Sequence, residues 1–264
     1  MKRSDAPRAA NAANQSVARA LEILHALANA QDGLGVRDIA RAIGVAPSIA
    51  QRLIATLTAY GFAEQDPTLK YRIGVQAQFI GNAYVSTHAL VRAGMAELGV
   101  LAGKHQLNGY LGVLRGTQVL YLIALQSSGP IAIRSSPGAR THLHSTALGK
   151  AILAEKSDDE VARLLGPQPF ARLTPRSRLR LAPILAELHL ARRNGYAISD
   201  EENLIGVFAI GAAVRDAAGS TVAAISGALP RHQVNRTNLP KLCKLIQDAA
   251  NRISVRLGAP QTKQ

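Results

Sequence analysis

The chain has 264 residues, of which 47% are apolar, and its formal net charge is +14. This length and composition predict a globular protein with one large or two medium domains, and they exclude an intrinsically disordered chain. No apolar run reaches the roughly 18 residues that a membrane span requires, and the first residues lack the apolar core of a secretion signal. We therefore expect a cytoplasmic protein.

The basic charge favours a polyanionic partner such as nucleic acid. Its distribution does not identify the segment that binds such a partner. Residues 1–75 contain nine Lys and Arg against six Asp and Glu, whereas residues 76–264 contain 22 against 11. Charge alone therefore supports nucleic-acid binding only weakly.

The first predicted element is an amphipathic helix that begins at Ser16, a residue type that caps helices well. Its apolar residues recur at helical spacing and form one stripe: Val17, Ala20, Leu21, Leu24, Leu27 and Ala28. Residues 1–14 are rich in Ala, Asn and Arg, and we expect a disordered tail there. A DNA-contacting arm formed by Lys2, Arg3 and Arg8 is the alternative.

Residues 36–60 predict two short helices joined by a tight turn. Gly44 lies where a helix end requires a residue that tolerates positive φ, and Pro47 lies in a first helical turn, where it removes no hydrogen bond. Apolar residues recur at spacings of three and four on both helices: Ile39, Ala40, Ile43, Ala50, Leu53, Ile54 and Leu57. This pattern predicts a helix-turn-helix with residues 47–59 as the recognition helix. An ordinary helical hairpin with a solvated face is the alternative.

The outer face of the second helix carries Ser48, Gln51, Arg52 and Ala55, none of which a core requires. Ser, Gln and Arg supply the donors that reach base edges and phosphates in a major groove. We therefore predict that Ser48, Gln51 and Arg52 bind DNA.

Two short strands are predicted directly after this helix, over residues 62–65 and 71–73, with an Asp66-Pro67 turn between them. Strand alternation places Lys70 and Arg72 on one face of this hairpin. The position predicts the wing of a winged helix, in which Lys70 and Arg72 bind DNA phosphates. A plain hairpin is the alternative.

Residues 76–104 predict linker helices that are also a candidate dimer surface, after a winged helix-turn-helix domain over residues 15–75. Residues 105–260 predict a second domain of mixed helices and hairpin-connected strands, unlike a doubly wound parallel sheet. Its strands are predicted at residues 109–114, 118–126, 131–135, 196–200, 207–215 and 221–229. The fold class is therefore α+β.

The segment HLHSTALGKAILA, residues 142–154, predicts a helix capped by Ser145 or Thr146. The N–H groups at the start of this helix and its partial positive charge form a candidate site for a carboxylate. The alternative is that Ser145 and Thr146 satisfy these donors themselves.

No pattern in the sequence predicts catalysis. His142, His144 and Ser145 are too close in sequence for a triad, because neighbours in a strand point to opposite faces. The sequence contains no G-x-S-x-G elbow, P-loop or G-x-G-x-x-G motif. The acidic run at residues 200–202 lacks a histidine at metal-ligand spacing, and the single cysteine, Cys243, is interpreted as a packing residue. We expect no enzymatic activity, no metal and no cofactor.

Five segments together resemble the isocitrate-lyase-regulator (IclR) family of bacterial transcription factors: QSVARALEILHALA, the helix-turn-helix, HSTALGKAILA, GYAISDEENLIGV and AAISGALP. The resemblance covers residues 14–257. It implies a winged helix, a linker helix and a GAF-like effector-binding domain. It also implies a homodimer or homotetramer that binds a palindromic operator in double-stranded DNA and responds to a small organic acid such as glyoxylate, pyruvate or an aromatic acid.

The resemblance also implies which residues bind the effector: Ala147, Leu148, Ser199 or Asp200, Val207, Ala209, Ser226 and Ala228. Leu148 is bulkier than its counterpart in glyoxylate-responsive members, and Ala209 and Ala228 replace more polar groups. We therefore expect a more apolar effector than glyoxylate. Arg134, on a predicted strand just upstream, is our added candidate for the charge partner of the acid, and a merely exposed arginine is the alternative.

In the recognition helix, Ile49 stands where family members often carry Thr or Ser, which removes one candidate phosphate contact. The sequence thus favours an effector-responsive DNA-binding regulator. The alternative is a GAF-like sensor or enzyme module with an incidental winged helix.

Overall fold

The computed structural model describes residues 14–129 and 135–260, and this part of the chain divides into a unit that ends at Thr87 and a unit that begins at His88. The first unit contains four helices and a two-stranded hairpin: α1 (Gln15–Ala28), α2 (Val36–Ile43), α3 (Pro47–Ala59), β1 (Ala63–Gln65), β2 (Tyr71–Ile73) and α4 (Val75–Thr87).

Helix α1 begins at Gln15, two residues before the first helical residue that a cap at Ser16 predicts. The cap is Asn14 rather than Ser16, because the Asn14 side chain accepts hydrogen bonds from the backbone N–H groups of Ser16 and Val17. The predicted apolar stripe is also partly wrong, because the core touches α1 along a narrower arc than the apolar residues occupy. Ile23 and Leu27 are buried, whereas Val17 and Leu21 are more than half exposed.

Helices α2 and α3 form the predicted helix-turn-helix. Their axes meet at 106°, within the range of about 90–120° that is typical of this motif. Gly44 ends α2 in the left-handed region, with φ of 66°. Ala40 and Ala50 are both buried, so that small side chains lie in the core where the two helices pack. No single helix in the described ranges is long and apolar enough to cross a membrane, and only α2 and α3 taken together reach that length and composition.

The hairpin after α3 is antiparallel, with Ala63 opposite Ile73 and Glu64 opposite Arg72. Tyr71 is buried against the helical core and exchanges two backbone hydrogen bonds with Leu34, of 2.9 and 3.0 Å. These bonds tie the hairpin to the α1–α2 connection. The first unit is therefore a winged helix-turn-helix.

The second unit is a single sheet with helices on both faces. Its helices are α5 (Ala89–His105), α6 (Ala147–Ala154), α7 (Asp158–Leu165), α8 (Leu181–Asn194) and α9 (Leu239–Arg256). Its strands are β3 (Asn108–Arg115), β4 (Gln118–Leu125), β5 (Arg140–His142), β6 (Ala197–Asp200), β7 (Val207–Arg215) and β8 (Thr221–Pro230). The strand order is β5-β4-β3-β8-β7-β6, and every pairing is antiparallel.

One predicted strand and one observed strand do not correspond. Most of the strand predicted at residues 131–135 lies outside the described residues. The sequence analysis missed β5, in which Thr141 pairs with Val119. Three residues are too few to show an alternation of apolar and polar positions, so the pairing with β4 decides this strand.

The two sheet faces bury different clusters. Helices α5 and α9 cover one face, which contributes Leu111, Ile210 and Ile225 to the core. Helices α6 and α8 pack together, and α6 lies on the other face, which contributes Tyr110, Ala224 and Ala228. The first face carries large aliphatic side chains and the second carries many small ones, which let α6 approach the sheet closely at Gly211.

Candidate functional site

The exposed face of α3 carries the residues that the sequence predicts to bind DNA. Ser48, Gln51 and Arg52 are all exposed. Within the described residues no side chain caps α3, whose first residue is Pro47. Pro47 has no N–H and the Ile49 N–H donates to the Ala46 carbonyl (3.0 Å), so among the described residues the Ser48 N–H is the donor of the first turn that is open to an anion such as a phosphate. Ile49 is half-buried against the helical core, which accounts for an apolar residue at this position.

The wing presents its two basic residues differently. Asp66 accepts three hydrogen bonds in the hairpin turn, from Thr68 N–H (2.9 Å), the Thr68 hydroxyl (2.6 Å) and Lys70 N–H (3.1 Å). The Thr68 hydroxyl, with these N–H groups and Arg72, holds the pKa of Asp66 below its usual value. The ionised Asp66 lies 3.5 Å from Arg72. No ion pair involves Lys70 in the described part of the chain, so Lys70 presents the less compensated charge.

The start of α6 resolves the capping question that the sequence left open. Thr146 is the cap: its hydroxyl accepts a hydrogen bond from Gly149 N–H (3.0 Å) and donates one to the His142 carbonyl (2.8 Å). Ser145 instead donates to the Asn203 side chain (3.0 Å). The N–H groups of Ala147 and Leu148 have no acceptor among the described residues.

The strand register brings most of the predicted effector residues together below these N–H groups. Ser199 lies opposite Ala209, which in turn lies opposite Ala228, and Ser226 lies opposite Gly211 in the next row. Directly opposed residues in an antiparallel sheet share a face. This is the face that α6 covers, because a side chain at Gly211 would overlap the Ala147 carbonyl oxygen.

The predicted residues on this face are small or apolar. Leu148 is buried and packs over Gly112, and Val207 and Ala209 lie at the edge of the same cluster. Ser226 is only 4% exposed, and its hydroxyl forms no hydrogen bond within the described residues.

Two of the residues predicted to bind the effector, Ser199 and Asp200, are not free to do so at the start of α6. The Ser199 hydroxyl already donates a hydrogen bond to the Ser145 carbonyl (2.7 Å). Asp200 lies on the opposite sheet face, across from Phe208, and forms ion pairs with Arg231 (2.6 Å) and Arg176 (3.3 Å). Alternation along β6 therefore separates Asp200 from the α6 site. Arg134, the predicted charge partner, lies outside the described residues.

The sequence analysis missed a buried lysine at the centre of this region. Lys150 on α6 is 1% exposed, and its ammonium group lies 2.6 Å from each carboxylate oxygen of Glu202. It also donates to Glu187 on α8 and to the Ile198 carbonyl (3.1 Å). A buried charge requires such partners. A charged residue inside the apolar pattern of ALGKAILA was the available signal.

The two carboxylates that share this ammonium group differ in environment. For Glu187 burial acts in the opposite direction, but Lys150 and Arg178 together hold its pKa below the usual value. Burial, reinforced by the nearby Glu187, raises the pKa of the more enclosed Glu202, although Lys150 opposes this shift. The resulting network links α6, α8 and the connection between β6 and β7.

These contacts also account for the acidic run that was considered as a metal site. Asp200 and Glu201 pair with Arg176, and Glu202 pairs with Lys150. Across residues 14–129 and 135–260 no group of three side chains could hold a metal ion.

The histidines next to Ser145 do not form a catalytic arrangement in the described structure. His144 is buried, and its Nε2 atom lies 3.0 Å from the Ala171 carbonyl oxygen, so the ring donates through Nε2. Burial lowers the pKa of His144, which keeps the ring neutral. The Ser145 hydroxyl is bonded to Asn203 and not to a histidine.

An open groove of about 770 Å³ lies elsewhere in the second unit, at the end of α9. Its arginines are engaged by carboxylates, because Glu97 binds Arg252 and Arg256 while Glu155 binds Arg215. None of the predicted effector residues lines this groove.

A winged helix-turn-helix followed by a separate α/β unit is the architecture of a DNA-binding transcriptional regulator. Comparison with known proteins agrees with this class. The family described as bacterial transcriptional regulator IclR C-terminal matches residues 82–255, and the IclR helix-turn-helix domain matches residues 16–67. The chain belongs to the IclR family and is a transcriptional regulator of that type.

Individual relatives match over nearly the whole chain. The HTH-type transcriptional regulator BhcR of Paracoccus denitrificans is 31% identical over 237 residues, which cover 89% of this chain and 85% of BhcR. The IclR regulator of Alicyclobacillus acidocaldarius, at 23% identity, superposes with a TM-score of 0.83 over 93% of this chain and all of that one. An IclR homologue from Microbacterium hydrocarbonoxydans, crystallised with 4-hydroxybenzoate, has 21% identity and a TM-score of 0.80 over 92% of this chain and 98% of that one.

Proposed function

We propose that this regulator binds a palindromic operator through α3 and the wing, and that a small organic acid bound in its second unit modulates this binding. Ser48, Gln51 and Arg52 then contact bases and phosphates in the major groove, while Lys70 and Arg72 contact phosphates beside it. The exposure of all five side chains supports this assignment.

A homodimer or homotetramer matches a palindromic operator, because each half-site then receives one recognition helix. Helix α4 supports an oligomer, since it buries none of its side chains within the described part of a single chain. Its exposed large apolar residues are Val75, Phe79, Ile80, Tyr84 and Val85. Covering such a surface with a second copy removes apolar area from water.

The effector site that we propose lies between the start of α6 and the small-residue face of the sheet. The N–H groups of Ala147 and Leu148 receive the carboxylate, and Ser226 donates a further hydrogen bond. Leu148, Val207, Ala209 and Ala228 line the space for an apolar body. The observation that supports this site most directly is the position of Ser226, a residue that is only 4% exposed, lies on the sheet face that α6 covers, and sits opposite Gly211.

An acid with an apolar or aromatic body fits this lining better than glyoxylate does. A 4-hydroxybenzoate complex of a protein with the same fold is in line with this choice. A carboxylate in such a site must be paired, because an unpaired buried charge is costly.

The test combines a gel shift with calorimetry. The operator probe is the intergenic region beside the gene, and benzoate and short 2-oxo acids are titrated with and without this DNA. We expect at least one acid to bind and to change operator affinity, whereas neutral amides of the same acids bind much more weakly. Tight binding of the neutral amides would contradict the anion site.

Ser226→Ala provides the residue-level test. It removes one hydrogen bond to a charged group, and we expect about a tenfold loss of acid affinity. Ser220→Ala is the matched control, because Ser220 is exposed in the turn between β7 and β8. If the two variants bind the acid equally well, Ser226 is not part of the site.

A further inference from the structure

A buried tyrosine and a half-buried tyrosine lie side by side on the sheet face that α6 covers, and no sequence pattern pointed to them. Tyr110 is on β3 and Tyr121 on β4, with ring centroids 5.4 Å apart and planes inclined at 46°. Tyr121 lies opposite Gly112 in the register of β3 and β4. A Cβ atom at Gly112 would lie 2.5 Å from Val119 Cγ1, so no larger residue fits there.

The register places this tyrosine pair next to the proposed effector site. Tyr110 lies opposite Ser226 on the neighbouring strand β8. It also belongs to the same buried cluster as Leu148 and Ala228. The aromatic rings therefore border the space beneath the start of α6, on the side of Ser226.

Both phenol groups stay neutral in this environment. Burial raises the pKa of Tyr110, and the neighbouring Tyr121 adds to the shift. Burial also raises the pKa of Tyr121, and the nearby side chains of Thr141 and Ser135 oppose this shift. A neutral phenol does not repel a bound carboxylate.

We propose that Tyr110 and Tyr121 determine effector specificity by packing against the planar ring of an aromatic carboxylate, an inference that rests on the effector-binding function proposed above. Aromatic rings attract one another in tilted and offset arrangements at centroid distances of about 4.5–7 Å. The N–H groups at the start of α6 position the carboxylate of the ligand, and the tyrosine pair favours a ligand whose remaining part is a flat, unsaturated ring. A short 2-oxo acid gains nothing from this pair.

The experiment compares two acids of similar size and different ring chemistry. The full-length protein is titrated by calorimetry with benzoate and with cyclohexanecarboxylate, and pyruvate serves as a short acid without a ring. We expect the wild type to bind benzoate roughly tenfold more tightly than cyclohexanecarboxylate. Equal affinity of the two ring acids for the wild type would overturn the proposal without any variant.

Tyr110→Leu should reduce this preference to about one while pyruvate affinity stays unchanged. Tyr196→Leu is the matched control, because Tyr196 packs against the cluster on the opposite sheet face and should leave the preference intact. Thermal melting checks that each variant is folded, and Tyr121→Leu replaces Tyr110→Leu if the latter does not fold. A variant that keeps the preference, or loses affinity for all three acids equally, overturns the proposal.

The result separates this inference from the function on which it rests. If acids bind and shift operator affinity without any preference for the aromatic ring, the effector function stands and the role of the tyrosines falls. If none of the three acids binds, the effector function fails and the specificity role fails with it.

Discussion

At the scale of single residues, the region around α6 depends on hydrogen bonds that the side-chain chemistry assigns unambiguously. Thr146 caps the helix, so Ser145 is left to hold Asn203 in the connection between β6 and β7. Ser199 then donates to the backbone of Ser145. Each hydroxyl therefore has a structural partner except that of Ser226, for which the described residues provide none.

Arg52 is the residue that we expect to contribute most to sequence recognition. A bidentate contact to a base edge is worth about 1–3 kcal/mol, so Arg52→Ala should weaken operator binding by that amount in a gel-shift titration. Arg52→Lys is the control, because it keeps the charge but not the planar fork, and it should retain binding to unrelated DNA. Unchanged operator affinity in Arg52→Ala would exclude α3 as the recognition helix.

His144 should make the protein less stable in mild acid. Burial lowers the pKa of His144 in the folded chain, whereas the unfolded chain titrates near the usual value of about 6.5. Below about pH 6.5 the unfolded state binds more protons than the folded state does. The free energy of unfolding is therefore highest at neutral pH, and it falls as the pH drops from about 6.5 towards the lower pKa of His144 in the folded chain. His144→Gln keeps the donor to Ala171 without titrating, and its melting temperature should fall less between pH 7.5 and 5.5.

His25→Gln is the control for this comparison, because His25 is exposed on α1. It should melt with the same pH dependence as the wild type. A His144→Gln protein with the pH dependence of the wild type would show that another group causes the acid sensitivity.

At the scale of elements, the wing, α6 and α5 are each held in place by specific contacts with a neighbouring element. The wing is joined to the helical core through the backbone bonds between Tyr71 and Leu34. Helix α6 is joined to α8 and to the connection between β6 and β7 through Lys150. Helix α5 lies close to the sheet at Gly94, since this residue has no side chain. A Cβ atom there would come within 2.9 Å of Leu111 Cδ2.

The wing should contribute to operator affinity mainly through charge. Lys70→Ala should reduce the slope of the logarithm of the DNA-binding constant against the logarithm of salt concentration by about one unit. It should weaken binding to all DNA sequences alike. Arg72→Ala should change this slope less, because Asp66 already compensates part of its charge. Fluorescence anisotropy over a range of salt concentrations measures both slopes. A loss restricted to one operator sequence would argue against phosphate contacts.

The Lys150 network should be a large contributor to the stability of the second unit. Lys150→Met leaves Glu202 buried without its cation, which costs about 3–5 kcal/mol, measurable by urea denaturation. The double variant Lys150→Met/Glu202→Met removes both charges and should recover much of this loss. Equal stability of the single variant and the wild type would mean that water reaches Glu202.

At the scale of the whole molecule, regulation requires that the effector and the operator bias the same equilibrium. An acid shifts that equilibrium only by its difference in affinity for the two states. Coupling free energies in such proteins are typically about 1–3 kcal/mol. The DNA-binding and effector-binding regions that we propose belong to different units, one on each side of the boundary between Thr87 and His88.

Thermodynamic linkage makes this coupling measurable from either side. If the acid weakens operator binding by a given factor, saturating operator DNA must weaken acid binding by the same factor. We expect this factor to be about 5–150, the range that corresponds to these coupling energies. Calorimetry of the acid with and without operator DNA, paired with gel shifts, gives both values. Unequal factors would indicate a change of oligomeric state between the two experiments.

The sequence predicted elements better than it predicted the site. Helix periodicity and the helix end at Gly44 located α2 and α3, because local geometry decides such features. Whether β6 supplies Ser199 or Asp200 remained open, since that depends on which face of the sheet α6 covers. The carboxylate partners of Lys150, Glu187 and Glu202, lie 37 and 52 residues away along the chain. No local sequence pattern encodes contacts between residues so far apart.

Two glycines bear on how this chain could be adapted to report new ligands. A side chain at Gly149 would overlap the Leu143 carbonyl oxygen, and one at Gly211 would overlap that of Ala147. A library for a biosensor should therefore keep both glycines fixed and randomise the side chains of Leu148, Val207, Ala209 and Ala228. Diversity at these four positions changes the lining of the proposed effector site and therefore the ligand that it accepts. Any side chain at either glycine instead moves the backbone at the start of α6.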